Sequence, residues 1–301
     1  MQIVEFTYPV IPTSPEKLVL CLGYFDGIHL GHQALIKDAI KEGYKVGVLT
    51  FDNPPSLVLG KIKENHSLSS IADKAEFLEE LGVDYLFLMH FDLETAKLTK
   101  DEFIDKVLKI INPVKLYCGE DYKFGMWAEG NPAYLSQHFD TVIHKLEGMN
   151  GSAKISSRDI SALIEMGSVE IAAELLGRPY RINGLVVQGL HNGRNLDFPT
   201  ANLSLDYPYA FPKDGVYFGF ADVYDKKYKA IISIGTHPTI MQLSKPIIEV
   251  HILDYEGNLY GKDIFVEFIK YERDIVKFNS VDELKAQLQK DKAKAKRTLQ
   301  L

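Results

Sequence analysis

The segment LVLCLGYFDGIHLGHQALIKDAIKEGYKVGVLTF, Leu18 to Phe51, sets the architecture of the first half of the chain. Leu18 to Gly23 is apolar throughout, as a strand buried on both faces of a parallel sheet must be. Leu35, Ile36, Ala39 and Ile40 then fall on one side of a helix from about Gly31 to Glu42, which stops before Gly43. Lys45 to Phe51 reads as a second strand, so the whole segment is one βαβ unit.

Working outward, the alternation continues. A helix from Ser70 to Leu81 stops at Gly82, and Val83 to Met89 is a third strand. Thr99 and Glu102 form a capping box for a helix reaching Ile111, and Val114 to Gly119 is a fourth strand. Short connections predict a doubly wound Rossmann-like sheet, with ligands beyond the C-terminal strand ends where Gly23 and Gly119 lie. After Gly177 to Tyr180 the texture changes. Arg181–Gly189, Asp214–Asp225, Tyr228–Gly235, Pro246–Gly257 and Lys262–Tyr271 are closely spaced strand candidates without helices between them, which predicts a small antiparallel β-barrel. Ser280 and Glu283 cap a final helix reaching about Leu299, with Leu284 and Leu288 on one face. With 301 residues the chain exceeds what one core supports, and the change of periodicity divides it into domains 1–178 and 179–301.

A net charge of −7 with scattered basic residues argues against a nucleic-acid partner. The Lys290–Arg297 run sits at a helix C-terminus, where cations are favoured, and reads as a solvated end. The two cysteines, Cys21 and Cys118, lie far apart without CxxC spacing, which argues against a structural zinc site or a disulfide scaffold and suits a reducing compartment. The first residues lack the basic start and apolar core of a secretion signal, and no apolar run approaches the ~18 residues of a membrane span. A cytoplasmic protein is expected.

Chemistry concentrates at Gly23 to Gln33, GYFDGIHLGHQ, between the first strand and the first helix. His29, Gly31 and His32 form an HxGH element at a helix N-terminus, where free N–H groups and the helix dipole favour phosphate. Two imidazoles there can donate to charge developing on departing pyrophosphate, and Gly31 lets a nucleotide approach. An isolated HxGH string could equally mark ordinary polar groups at a helix start; strand, glycines and helix together point to a site.

GYFDGIHLGHQ resembles the nucleotidyltransferase signature of the prokaryotic bifunctional riboflavin kinase/FMN adenylyltransferase family, the FAD synthetases. Further segments match in order: TFDNPPSLVL from Thr50, GEDYKFG from Gly119, ISSRDI from Ile155 and LLGRPY from Leu175. The resemblance implies that His29 and His32 contact ATP phosphates, with Gly23, Phe25, Asp26 and Gly31 in the same nucleotide-binding loop. Asp121 and Phe124 would shape the nucleotide and flavin pocket, and Ser156, Ser157 and Arg158 would cradle phosphate. Ser156 could equally be a plain N-cap with Asp159 at N3. Two departures bear on this half. Asn53 and Pro54 stand where the family often reads FDPHP, and Ser161 stands where ISSTxIR places an arginine. A serine cannot stabilise transferred charge as a guanidinium does, and Arg158, one helical turn earlier, is the candidate substitute.

In the second half, FPTANL from Phe198 resembles the kinase motif in which Thr200 and Asn202 hold ATP-bound Mg2+. A hydroxyl and an amide oxygen are hard ligands that add no charge beside phosphate. Upstream, Gly189 and Gly193 resemble the family's glycine-rich loop over the nucleotide, although Asp197 stands where glycine is usual. Glu249 alternates with Ile248 and Val250 on a strand, so its carboxylate can look away from the core and deprotonate the riboflavin 5′-hydroxyl. Arg273 would support the flavin or its phosphate loop, or form a surface ion pair. The implied activity is two-step: ATP phosphorylates riboflavin to FMN, and a second ATP adenylylates FMN to FAD, releasing pyrophosphate. Two other readings use the same residues: a kinase whose adenylyltransferase half is impaired, and a non-catalytic flavin- or nucleotide-binding regulator.

Overall fold

The computed structural model describes residues 1–145, 155–188, 198–224, 226–235 and 247–300. Six strands form a parallel sheet in the first part: β1 (Gln2–Thr7), β2 (Leu18–Leu22), β3 (Lys45–Phe51), β4 (Tyr85–His90), β5 (Lys115–Gly119) and β6 (Thr141–His144). Their order is β1-β4-β3-β2-β5-β6. The order reverses between β2 and β5, the place where open α/β sheets leave a crevice for ligands.

β2 is buried along its whole length because both its faces are covered. Leu18, Leu20 and Leu22 pack with Phe103, Val107 and Leu108 on one side, while Val19 and Cys21 pack with Leu35, Ile36, Phe77 and Leu78 on the other. Each buried Leu or Val contributes roughly 1.5–3 kcal/mol relative to exposure. The helices expected from sequence are present at Leu30–Ile40 and Ile71–Glu80, the latter with Ser70 and Asp73 in a capping box. The Thr99–Glu102 capping box is also present, and its helix reaches Ile111 through a π-helical stretch, Ile104–Leu108. Edge strands β1 and β6 extend the expected four-stranded sheet. Their half-exposed patterns lack the continuous apolar run that marks β2 to β5.

The second part is a closed barrel of β7 (Tyr180–Val187), β8 (Ala201–Ser204), β9 (Gly215–Val223), β10 (Lys226–Gly235), β11 (Ile247–Ile252) and β12 (Asp263–Arg273), in the order β10-β11-β8-β7-β12-β9. All its pairings are antiparallel. Closure brings β9 and β12 so near that a Cβ on Gly219 would lie 1.8 Å from the Glu267 carbonyl oxygen, so only glycine fits there. β8 adds a strand to the five expected, since the PTAN segment itself supplies it. The last helix, Val281–Thr298, starts at Ser280, whose hydroxyl accepts from Glu283 N–H; the Glu283 carboxylate accepts from Asn279 rather than from the cap residue.

The compact units are Met1–Ser157 and Arg158–Leu301. Most of the helix Ser157–Glu165 and all of Val169–Leu176 therefore group with the barrel, the latter packing on β7 and β12. The boundary expected at 178/179 rests on the change in periodicity.

Candidate active sites

In the first unit, the chain leaves β2 and makes a tight turn before the helix Leu30–Ile40. Phe25 (φ 52), Gly27 (φ 69) and Ile28 (φ 40) all take left-handed backbone. Glycine adopts this freely, but for phenylalanine and a β-branched isoleucine it is strained by about 1–3 kcal/mol each. The turn is held from several sides. Gly27 N–H donates to Ser69 Oγ at 3.0 Å, Leu68 N–H to Asp26 Oδ1 at 2.9 Å, and Ser157 Oγ to the Asp26 carbonyl at 3.0 Å.

His29 then becomes the N-cap of the helix, its Nδ1 accepting from the His32 N–H at 3.4 Å. That bond places the proton of a neutral His29 on Nε2, leaving Nε2–H as a donor. The two rings stack with centroids 3.6 Å apart, and Phe25 meets His32 edge-on at 5.1 Å. Desolvation, then the neighbouring His29 and Lys74, hold the His32 pKa well below the usual histidine value, so its ring is neutral near pH 7. His32 Nδ1 is buried without a hydrogen-bond partner among the described residues, a cost of about 1–3 kcal/mol. Gly31 is buried in the first helical turn, and a Cβ on Gly23 would press 3.1 Å against the Phe25 ring.

The loop after β5 lies beside β2 at the same sheet edge. Phe124 is buried there against Phe103 and Tyr122, with ring centroids 5.5 and 5.9 Å away, while Asp121 is exposed. Ser156 is half-buried, Arg158 is exposed, and the Ser161 hydroxyl donates to Glu165 Oε1 at 3.3 Å.

In the barrel, register assembles a second site. Glu249 on β11 lies directly opposite Asn202 on β8, with Ser233 on β10 and Val187 on β7 in the same row. Directly opposed residues share a sheet face. Ile248 and Leu203, one place along, are buried together, which turns Glu249 and Asn202 to the other side, where both are half-buried. Thr200 stands two residues before Asn202 and is also half-buried. The neighbouring His251 is buried; its Nδ1–H donates to the Pro199 carbonyl at 2.8 Å and its ring packs on Phe198 at 4.5 Å. Burial lowers its pKa, so it too is neutral. Among the described residues no group of three or more His, Cys, Asp or Glu could hold a metal. Gly189, Gly193 and Asp197 lie outside the described residues.

Comparison with known proteins covers both units. A model of FAD synthetase matches residues 11–161 and one of riboflavin kinase residues 176–299. The bifunctional riboflavin kinase/FMN adenylyltransferase of Bacillus subtilis strain 168 is 36% identical, covering 98% of this chain and 97% of its own. The chain belongs to this family. The Escherichia coli K12 bifunctional riboflavin kinase/FMN adenylyltransferase is 33% identical over 98% of this chain and 97% of its own. A solved Streptococcus pneumoniae structure, named a macrolide-efflux protein, is 32% identical with a TM-score of 0.88, covering 98% of this chain and 99% of that one. Among the described residues no helix is long and apolar enough to cross a membrane.

Within a bifunctional riboflavin kinase/FMN adenylyltransferase, the residues singled out from sequence fall into separate groups. His29, His32, Gly31, Phe25, Asp26 and Gly23 converge beyond the C-terminal end of β2, and Ser157 joins them through the Asp26 carbonyl. Glu249 and Asn202 meet across the barrel. Arg273 meets the last helix: its Nη2 lies 2.6 Å from Oδ2 of Asp291, and its Nη1 donates to the Asp274 carbonyl at 3.1 Å. Sequence reasoning passed over Lys74 and His251. Lys74 shares the apolar spacing of Phe77, Leu78 and Leu81, and His251 the strand face of Glu249, so periodicity alone carried a trace of both.

Proposed function

We propose that this enzyme phosphorylates riboflavin to FMN in its barrel and adenylylates FMN to FAD at the C-terminal end of β2 in its parallel sheet. The observation that carries the reading is that each compact unit brings together residues of one candidate site: the stacked His29–His32 pair in one, the Glu249–Asn202 register in the other. Both steps are in-line displacements at phosphorus, where positioning and charge stabilisation dominate.

In the kinase step Glu249 takes the proton of the riboflavin 5′-hydroxyl as it attacks the γ-phosphorus of ATP. Thr200 and Asn202 fit a magnesium ion that arrives with ATP, because their neutral hard oxygens suit a cation keeping most of its ligands on phosphate and water. Bound there, magnesium would neutralise phosphate charge. His251 holds the Pro199 carbonyl and so orients Thr200. In the adenylyl-transfer step His29 and neutral His32 donate to pyrophosphate as it leaves the α-phosphorus, helped by the helix N-terminus. Arg158 is the guanidinium nearest in sequence to the position held by Ser161. The free, buried thiols of Cys21 and Cys118 support work in the reducing cytoplasm.

Separating the two activities tests the assignment. Glu249→Gln is expected to lower FMN formation from riboflavin by ~10²-fold or more and leave FAD formation from FMN intact. His32→Ala is expected to do the reverse. Loss of both activities in either variant would overturn the two-site reading.

A further inference from the structure

Lys74 has no part in the chemistry above, yet among the described residues it is the one lysine in the interior, 2% exposed. From the helix Ile71–Glu80 its ammonium donates to the Tyr24 carbonyl at 2.7 Å and lies 4.3 Å from the centroid of the Tyr24 ring. Thr50 Oγ1 donates to the same carbonyl at 2.8 Å and sits 3.5 Å from Lys74 Nζ. A single carbonyl thus takes two hydrogen bonds, one from a full charge, immediately before the left-handed run at Phe25, Gly27 and Ile28. Strained backbone persists only where its surroundings over-determine it.

The counter-charge lies within that run. Burial pushes the Asp26 carboxyl up to about 6 and the Lys74 ammonium down to about 8, and in each case the other's charge opposes the shift. Keeping an ammonium out of water is a poor way to gain stability, since burying a charge costs free energy that an apolar residue of similar volume does not. Two further observations suit a role in the site: the ammonium sits beneath the loop that leads into the helix N-terminus, and its charge bears on His32.

We infer that Lys74 is a positioning residue for adenylyl transfer: by fixing the Tyr24 carbonyl it holds the Phe25–Ile28 turn that presents His29 and His32 to the nucleotide. The inference rests on the functional reading above, and it extends to Thr50 as the second donor.

The test compares Lys74→Met and Thr50→Val with the wild-type full chain. Rates of FAD formation from FMN and of FMN formation from riboflavin are measured, with nitrogen NMR of the His32 imidazole. Lys74→Met is expected to lower kcat for FAD formation by ~10²-fold, the effect of about 1 Å of misplacement, with KM for FMN little changed. FMN formation should stay within twofold of wild type, and the His32 pKa should rise because a nearby positive charge is gone. Thr50→Val, which keeps the ammonium, should give a smaller and equally selective loss without that rise; it carries the test if Lys74→Met does not fold. Unchanged FAD formation in either soluble variant, an equal fall in both activities, or an unmoved His32 titration in Lys74→Met would overturn the inference. Wild-type protein forming no FAD would instead overturn the functional reading, and the backbone amide shifts of Phe25 to Ile28 in Thr50→Val, which keeps the ammonium, would still decide whether the Tyr24 carbonyl governs the turn: shifts unchanged from wild type would overturn it.

Discussion

Arg273→Met should destabilise the barrel unit by about 3–5 kcal/mol, the usual cost of stranding one partner of a buried ion pair. The magnitude follows from the site. Asp291 has a side chain 3% exposed, and Arg273 meets it with Nη2 at 2.6 Å and Nε at 3.2 Å, itself only 20% exposed. Without the guanidinium, the carboxylate keeps Gln287 Nε2 at 2.8 Å as its neutral donor, too little to replace the charge. A domain of this size loses about 3 °C or more of Tm per kcal/mol, so thermal unfolding should move down by about 10 °C or more. Arg273→Met/Asp291→Leu should recover most of the loss, because the uncompensated charge goes too. Calorimetry reads stability, and FMN formation by the double variant asks whether Arg273 also serves the flavin. A single variant within about 1 kcal/mol of wild type would mean the pair behaves as an exposed one, refuting the reasoning.

Further outcomes follow from the division of the chain. The fragment Arg158–Leu301 is expected to fold alone and make FMN from riboflavin; a fragment starting at Arg181 should be less stable, since it lacks the buried Tyr180 and the helix Val169–Leu176, as circular dichroism on both will show. Arg158→Ala should selectively lower FAD formation, and Ser161→Arg in that background should restore part of it. An unaffected Arg158→Ala enzyme would leave this arginine outside the chemistry. Asn202→Leu should weaken the magnesium dependence of FMN formation and its rate together while FAD formation stays unchanged; a wild-type magnesium titration would remove Asn202 from the metal site.

What was legible in the sequence was whatever is encoded locally. β2 to β5 stand out because strands buried on both faces are continuously apolar, and the Ser70, Thr99 and Ser280 starts because capping needs particular side chains at fixed offsets. β1 stayed hidden because an edge strand with exposed Ile3 and Glu5 has no such run. β8 stayed hidden because the same residues read as a candidate ligand motif. The site residues were legible as types, but their arrangement was not. Lys74 reads as an ordinary helical lysine until a turn some fifty positions earlier in the chain closes over it. The partner of Arg273 is equally silent in the sequence until the last helix brings Asp291 to it. Both facts depend on pairing between distant segments, which spacing along the chain does not record.

The most direct measurement incubates the full-length protein with riboflavin and Mg-ATP and separates riboflavin, FMN and FAD over time. FMN should appear first and FAD follow, with one ADP released per FMN formed and one pyrophosphate per FAD. FMN accumulating with no FAD would contradict adenylyl transfer at the His29–His32 site, and riboflavin left unchanged would contradict the account of both sites.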